Sequence, residues 1–81
     1  MKKLVVSVIS IEPQENKTIF VKLSNGKEGY FDVSPYLSKG IFTELQSDNY
    51  FQQARISFGG IAWPNAQDFS ADTVEVDLQV K

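Results

Sequence analysis

The side chains of this chain that could do chemistry are carboxylates, amines and hydroxyls, because it contains neither histidine nor cysteine. The commonest general base, the usual zinc ligands and the thiol nucleophile are therefore missing. Three aspartates stand where an acid–base or metal role would be sought. Asp32 lies between Phe31 and Val33, just before Ser34-Pro35, while Asp68 and Asp72 sit close together further along. An aspartate before a helical turn normally accepts backbone N–H bonds, and that capping role, not catalysis, is the expectation for Asp32. Asp68 and Asp72 are expected to shape turns, since no third ligand for a metal is evident. Ser34, Ser38 and Ser47 have no histidine to activate them. The pattern assigns no catalytic, cofactor-binding or metal residue, and a non-enzymatic protein is expected.

The stretch FGGIAWPN, Phe58 to Asn65, carries two glycines, a proline and the single tryptophan. It lacks the glycine spacing, the following helix start and the lysine of a phosphate-binding loop. As a hairpin it is more informative. A two-residue turn at Gly59-Gly60 would oppose Phe58 to Ile61, Ser57 to Ala62 and Ile56 to Trp63. Ile56, Phe58, Ile61 and Trp63 would then share a core face, with Pro64 ending the strand. Phe42, Tyr50, Phe51, Phe58, Trp63 and Phe69 form an aromatic set that could line a small-molecule pocket, although a chain of this size needs such residues for its core.

Eighty-one residues are enough for one domain, 1–81. Ten acidic against eight basic residues leave a formal charge of −2, and Arg55 is the only arginine. Phosphate-backbone binding needs several converging cations, so no direct nucleic-acid role is expected. No stretch approaches the length of a membrane span. The opening MKKLVVSVIS is too short and too interrupted by serine for a signal peptide. A first strand is the better reading, and a cytoplasmic protein the expectation.

The elements that must position these residues begin with strands. Leu4 to Ile11 is apolar on both faces, as a central strand would be. Ile19, Val21 and Leu23 alternate, and Asn25-Gly26 signals a type I′ hairpin into a return strand over Lys27 to Val33. Ser34-Pro35 reads as a capped helical start, Gly40 as a stop, and Asp48 as the cap of a turn presenting Tyr50, Phe51 and Ala54. In TVEVDLQVK, Val74, Val76, Leu78 and Val80 alternate with polar residues, which predicts a C-terminal strand over 74–80. Such a terminal strand is also a candidate edge for self-association. The expected fold class is α+β. It comprises an antiparallel sheet of five or six strands, built from a meander, a hairpin and the C-terminal strand, with one or two short helices on one face.

The order SNGKEGYFDVS followed by GIFTELQSDNYFQQARISFGGIAWPNAQDFSADTV resembles the small bacterial family catalogued as domain of unknown function 2442, over about residues 4–74. The resemblance rests on Asn25-Gly26, Asp32, Gly40, Phe42, Leu45, Phe51, Ile56, Gly60, Trp63-Pro64-Asn65, Asp68 and Asp72. It implies a compact α+β domain with no established catalytic residues. Some family members carry a DNA-binding helix-turn-helix segment, which this chain lacks. Others are encoded beside a second small domain, in an arrangement like that of toxin–antitoxin pairs. Asp32, Trp63, Pro64, Asn65, Asp68 and Asp72 are thus the candidate interaction or structural positions. The expected function is a protein-interaction module, the antitoxin-like partner of a co-encoded protein, with self-association through Val74–Val80 also open. The alternative is a small-molecule binding domain using the aromatic cluster around Trp63.

Overall fold

A computed structural model describes residues 5–80, with only the backbone described for Val80. Leu4, the expected start of the first strand, lies outside them. Three antiparallel strands form the expected meander: β1 (Val8–Pro13), β2 (Thr18–Leu23) and β3 (Glu28–Asp32). Alternation puts Ile19, Val21, Leu23 and Phe31 on the inner face, where all four are buried. β1 is an edge strand, not the central strand its composition suggests. A bulge between Val8 and Ser10 turns Ile9 out to solvent.

The Asn25-Gly26 hairpin forms, but not as a type I′ turn. Leu23 N–H donates to Lys27 O (2.8 Å) and Gly26 N–H to Leu23 O (3.1 Å). Only Gly26 of the pair has a positive φ, at 92°. This is a three-residue loop closed by one left-handed residue. Asn25 contributes its side chain instead, Oδ1 accepting the Lys27 N–H at 3.0 Å.

Short helical pieces follow. Ser34–Tyr36 and Gly40–Gln46 are 3-10 turns, and α1 (Asp48–Phe51) is a single α-turn. Asp32 takes the capping role expected of it, its Oδ1 accepting the Ser34 N–H at 2.9 Å, whereas the hydroxyl cap expected of Ser34 does not form. Ser47, not Asp48, caps α1, its Oγ accepting from Tyr50 N–H. Asp48 instead pairs with the Lys17 ammonium, which also lies 5.7 Å from the Phe51 ring centre.

The remaining strands do not extend the meander. β4 (Arg55–Ser57), β5 (Gly60–Ala62) and β6 (Asp68–Phe69) form a second, three-stranded antiparallel sheet, so the expected single sheet of five or six strands is corrected to two. Val8 couples them: it pairs with Leu23 in the first sheet while its N–H donates to Gly59 O at 2.7 Å. The inward side chains of both sheets meet in one core, with Phe69 as its hub. The ring of Phe69 lies 5.0 Å from Phe31, 4.9 Å from Tyr36, 5.1 Å from Phe42 and 5.9 Å from Trp63. These separations are those of favourable aromatic pairs.

The predicted strand over 74–80 is also corrected. Residues Ala71–Asp77 form α2, and only Gln79–Val80 is a strand, β7, completing the first sheet against β3. Ser70 is the helix cap, its Oγ accepting the Thr73 N–H at 3.2 Å, and Asp72 sits in the first turn, where its charge suits the helix dipole. Ala71 and Val74 are buried and Leu78 is half-buried, the three- and four-residue spacing of one helical face. Val76, which a strand would place beside them, is 82% exposed.

A seven-residue helix is not stable alone, and side-chain ties hold this one. Glu75 pairs with Lys27 (3.2 Å) and accepts from Asn25 Nδ2 (2.8 Å); the lysine first, then the amide, hold its carboxyl below the ordinary range. Tyr36 OH donates to Asp77 Oδ2 at 2.7 Å; that bond, then burial, then the Asp77 charge raise the phenol above its usual range.

Candidate functional site

The three-stranded sheet carries the most distinctive residues. Its second connection, from Trp63 to Gln67, repeats the geometry of the Asn25-Gly26 hairpin: Trp63 N–H donates to Gln67 O at 3.0 Å, and the last loop residue, Ala66, is left-handed at φ 78°. Pro64 suits the first loop position because its fixed φ starts such a turn. Trp63 itself is 1% exposed, and its indole N–H donates to Phe51 O at 3.0 Å.

Around this loop runs a polar clasp. Gln67 is 1% exposed, the one buried polar side chain among the described residues. Its carbonyl oxygen accepts from Tyr50 OH (2.7 Å), and its amide nitrogen donates to Ile41 O (2.8 Å) and Glu44 Oε1 (3.0 Å). Asn65 mirrors it, donating its backbone N–H to Tyr50 OH (2.8 Å) and its side-chain amide to Glu44 Oε2 (2.7 Å). Glu44 thus receives two amides while Tyr50 donates to one and accepts from the other residue. The clasp fastens the hairpin loop to the 3-10 turn and to α1. Asn65 therefore has a structural role beyond the turn.

The structure gathers Trp63, Pro64 and Asn65 with Glu44, Tyr50 and Gln67, and leaves the aspartates apart. Asp32 serves the Ser34 turn, Asp68 is exposed on β6, and Asp72 is exposed in the first turn of α2. Among the described residues no three carboxylates converge on one point. Of the six aromatics read as a set, Phe42, Phe51, Trp63 and Phe69 pack ring against ring, and Tyr50 joins the clasp. Phe58 does neither. The sequence reading also passed over Gln67, whose only signal was its place two residues after Asn65, where the chain must turn back into the core.

Phe58 is the largest departure from expectation. Arg55 opposes Ala62, Ile56 opposes Ile61 and Ser57 opposes Gly60, so the turn is Phe58-Gly59, one residue from that expected, and each partner is shifted by two. The reason lies in the glycines. A Cβ on Gly60 would overlap the Phe69 carbonyl oxygen and lie 3.2 Å from the Ser70 Cα. Gly60 is thus needed within the strand, where the chain after β6 crosses it closely. Gly59 takes a left-handed turn position at φ 77°, and Phe58 takes the other at φ 49°. Phe58 is fully exposed, at 107% of its reference area, and Ile56 is 42% exposed; neither belongs to the core.

No helix among the described residues is long and apolar enough to cross a membrane. Two hairpin sheets sharing one aromatic core, with short helices tied on by side chains, define a small single-domain α+β protein. The chain belongs to the family described as Protein of unknown function (DUF2442), whose family model matches residues 8–77. No curated protein and no solved structure matches it.

Proposed function

We propose that the chain is a non-enzymatic protein-interaction module, the small acidic, antitoxin-like partner of a co-encoded protein. The observation that carries this reading is Phe58. A bulky residue at positive φ is a backbone outlier, and a left-handed conformation costs an L-residue about 1–2 kcal/mol. Asn or Gly would fill this turn position without that cost. Phe58 recovers none of it inside the molecule, because its ring is wholly in solvent. Strain of this kind persists where function needs it, and an exposed aromatic is the residue type that anchors protein interfaces. The alternative, a small-molecule site at Trp63, gains nothing from a tryptophan that is buried and hydrogen-bonded in the core. The test is co-expression with the product of the adjacent gene. A complex that survives at micromolar concentration and is weakened at least about tenfold by Phe58→Asn supports the reading; no complex at that concentration refutes it.

A further inference from the structure

One face of the three-stranded sheet lies in the core; on the other, Arg55 and Asp68 are exposed, Ser57 and Ala62 are half-buried, and Gly60 is buried under the backbone of Phe69 and Ser70. Arg55 opposes Ala62, and Ala62 opposes Asp68. Opposed residues share a face, so these three side chains form a row across the sheet. A cation stands at one edge, a methyl group in the middle and a carboxylate at the other edge. Arg55 and Asp68 are exposed, and neither has an ion-pair partner among the described residues. Beside this row is a recess whose lining includes Ser57, Phe58, Gly60, Ala62, Asp68 and Ser70.

This arrangement is complementary to itself. Two such faces packed about a two-fold axis along β5 bring β4 of each copy over β6 of the other. Arg55 then meets Asp68 of the partner subunit, twice. On the middle strand only the half-buried methyl of Ala62 stands between these charges, because Gly60 is covered by the backbone of Phe69 and Ser70. The same rotation carries each Phe58, at the tip between β4 and β5, over the β5–β6 half of the other copy, beside the recess that the other copy's own Ser57 and Phe58 help to line. Opposite charges at opposite edges of one patch meet the requirement for an isologous contact.

We propose that this face is a two-fold interface between two copies of the chain, with Phe58 as its anchor and Arg55–Asp68 pairs setting its register. The inference rests on the interaction reading above and names a second copy as an occupant of that surface. The patch is small by the standard of stable interfaces, so the dimer is weak and its charge pairs make it sensitive to salt.

Sedimentation equilibrium of the intact chain from micromolar to millimolar concentration tests it. The expected result is a mass rising from one chain toward two. Phe58→Asn, which suits the turn and leaves the fold intact by circular dichroism, should raise the dissociation constant at least about tenfold. Arg55→Asp and Asp68→Arg should each weaken the dimer, and the double exchange should restore it to within about threefold of the parent, because the pair is re-formed with its ends reversed. A single-chain mass at every concentration overturns the proposal, as does a dimer indifferent to Phe58→Asn, or a double exchange no tighter than either single one. A monomer that still captures the adjacent gene product through Phe58 overturns the second copy but keeps the interaction reading. A chain that does neither overturns both.

Discussion

Replacing Gln67 by leucine tests the clasp, because leucine nearly matches its volume and removes only the hydrogen bonds. Three are lost: the one accepted from Tyr50 OH and the two donated to Ile41 O and Glu44 Oε1. Neutral hydrogen bonds contribute about 0.5–1.5 kcal/mol net, and bonds to a charged group about 1.5–3 kcal/mol. Glu44 is exposed, so its bond falls at the lower end of that range. Tyr50 OH, Ile41 O and Glu44 all sit near enough to the surface for water to replace part of what is lost, while the apolar leucine gains some burial. The balance is a destabilisation of about 2–3 kcal/mol. A chain of this length has about 4–12 kcal/mol in total.

Urea unfolding followed by the fluorescence of Trp63, the single tryptophan, reads the change directly. Tyr50→Phe and the double variant complete a cycle. Tyr50 and Gln67 share one bond and both hold Asn65, directly or through Glu44, so the double variant should lose about 1 kcal/mol less than the sum of the two single ones. A Gln67→Leu chain as stable as the parent, or a cycle that is strictly additive, would refute the claim that this clasp fixes the loop.

Gly60→Ala should cost about 3 kcal/mol or prevent folding, since the new methyl meets backbone at Phe69 and Ser70, not a side chain that can move; a melting temperature within a few degrees of the parent would show that β5 has room. Phe58→Asn should raise the melting temperature by about 2–6 °C in dilute solution, where no association contributes, because it relieves a left-handed phenylalanine; a lower melting temperature would mean that Phe58 supports the fold. Tyr36→Phe should flatten the alkaline limb of the stability profile. The folded chain holds the Tyr36 proton more tightly than the unfolded chain, so that stabilisation is complete below the ordinary tyrosine range and lost as pH rises through the raised value. Denaturation at a series of pH values compares the two chains, and identical alkaline limbs would refute the role of the Tyr36–Asp77 bond.

How much of this was legible depended on whether local pattern or distant contact decided each element. The meander was legible because alternation of Ile19, Val21 and Leu23 and the Asn25-Gly26 turn are both local. Trp63 was legible as core for the same reason. The C-terminal segment was not: Val74, Val76, Leu78 and Val80 satisfy a two-residue period, while Ala71, Val74 and Leu78 satisfy a helical one. The choice falls to Ser70, Glu75 and Asp77, whose side chains act at the helix start, at Lys27 and Asn25, and at Tyr36. Three of those four contacts join residues some forty to fifty positions apart, beyond the reach of periodicity. Gln67 escaped notice on the same ground, since a buried amide is defined by partners at Ile41, Glu44 and Tyr50.

Phe58 shows the limit most sharply. A turn at Gly59-Gly60 and a turn at Phe58-Gly59 differ by one residue and use the same letters. The first gathers four large apolar side chains on one face and is the better answer for an isolated hairpin. It fails because Gly60 is committed to the close crossing at Phe69 and Ser70, an interaction formed only when β6 folds back. Once Gly60 is held in the strand, one of the two turn positions passes to Phe58 and its ring moves to solvent. A glycine in the place of Phe58 would have met that constraint at lower cost. The monomer's own packing therefore gives no return on this aromatic, and the proposed interaction makes the exposed tip, rather than the buried tryptophan beside it, the place where partner binding is to be measured.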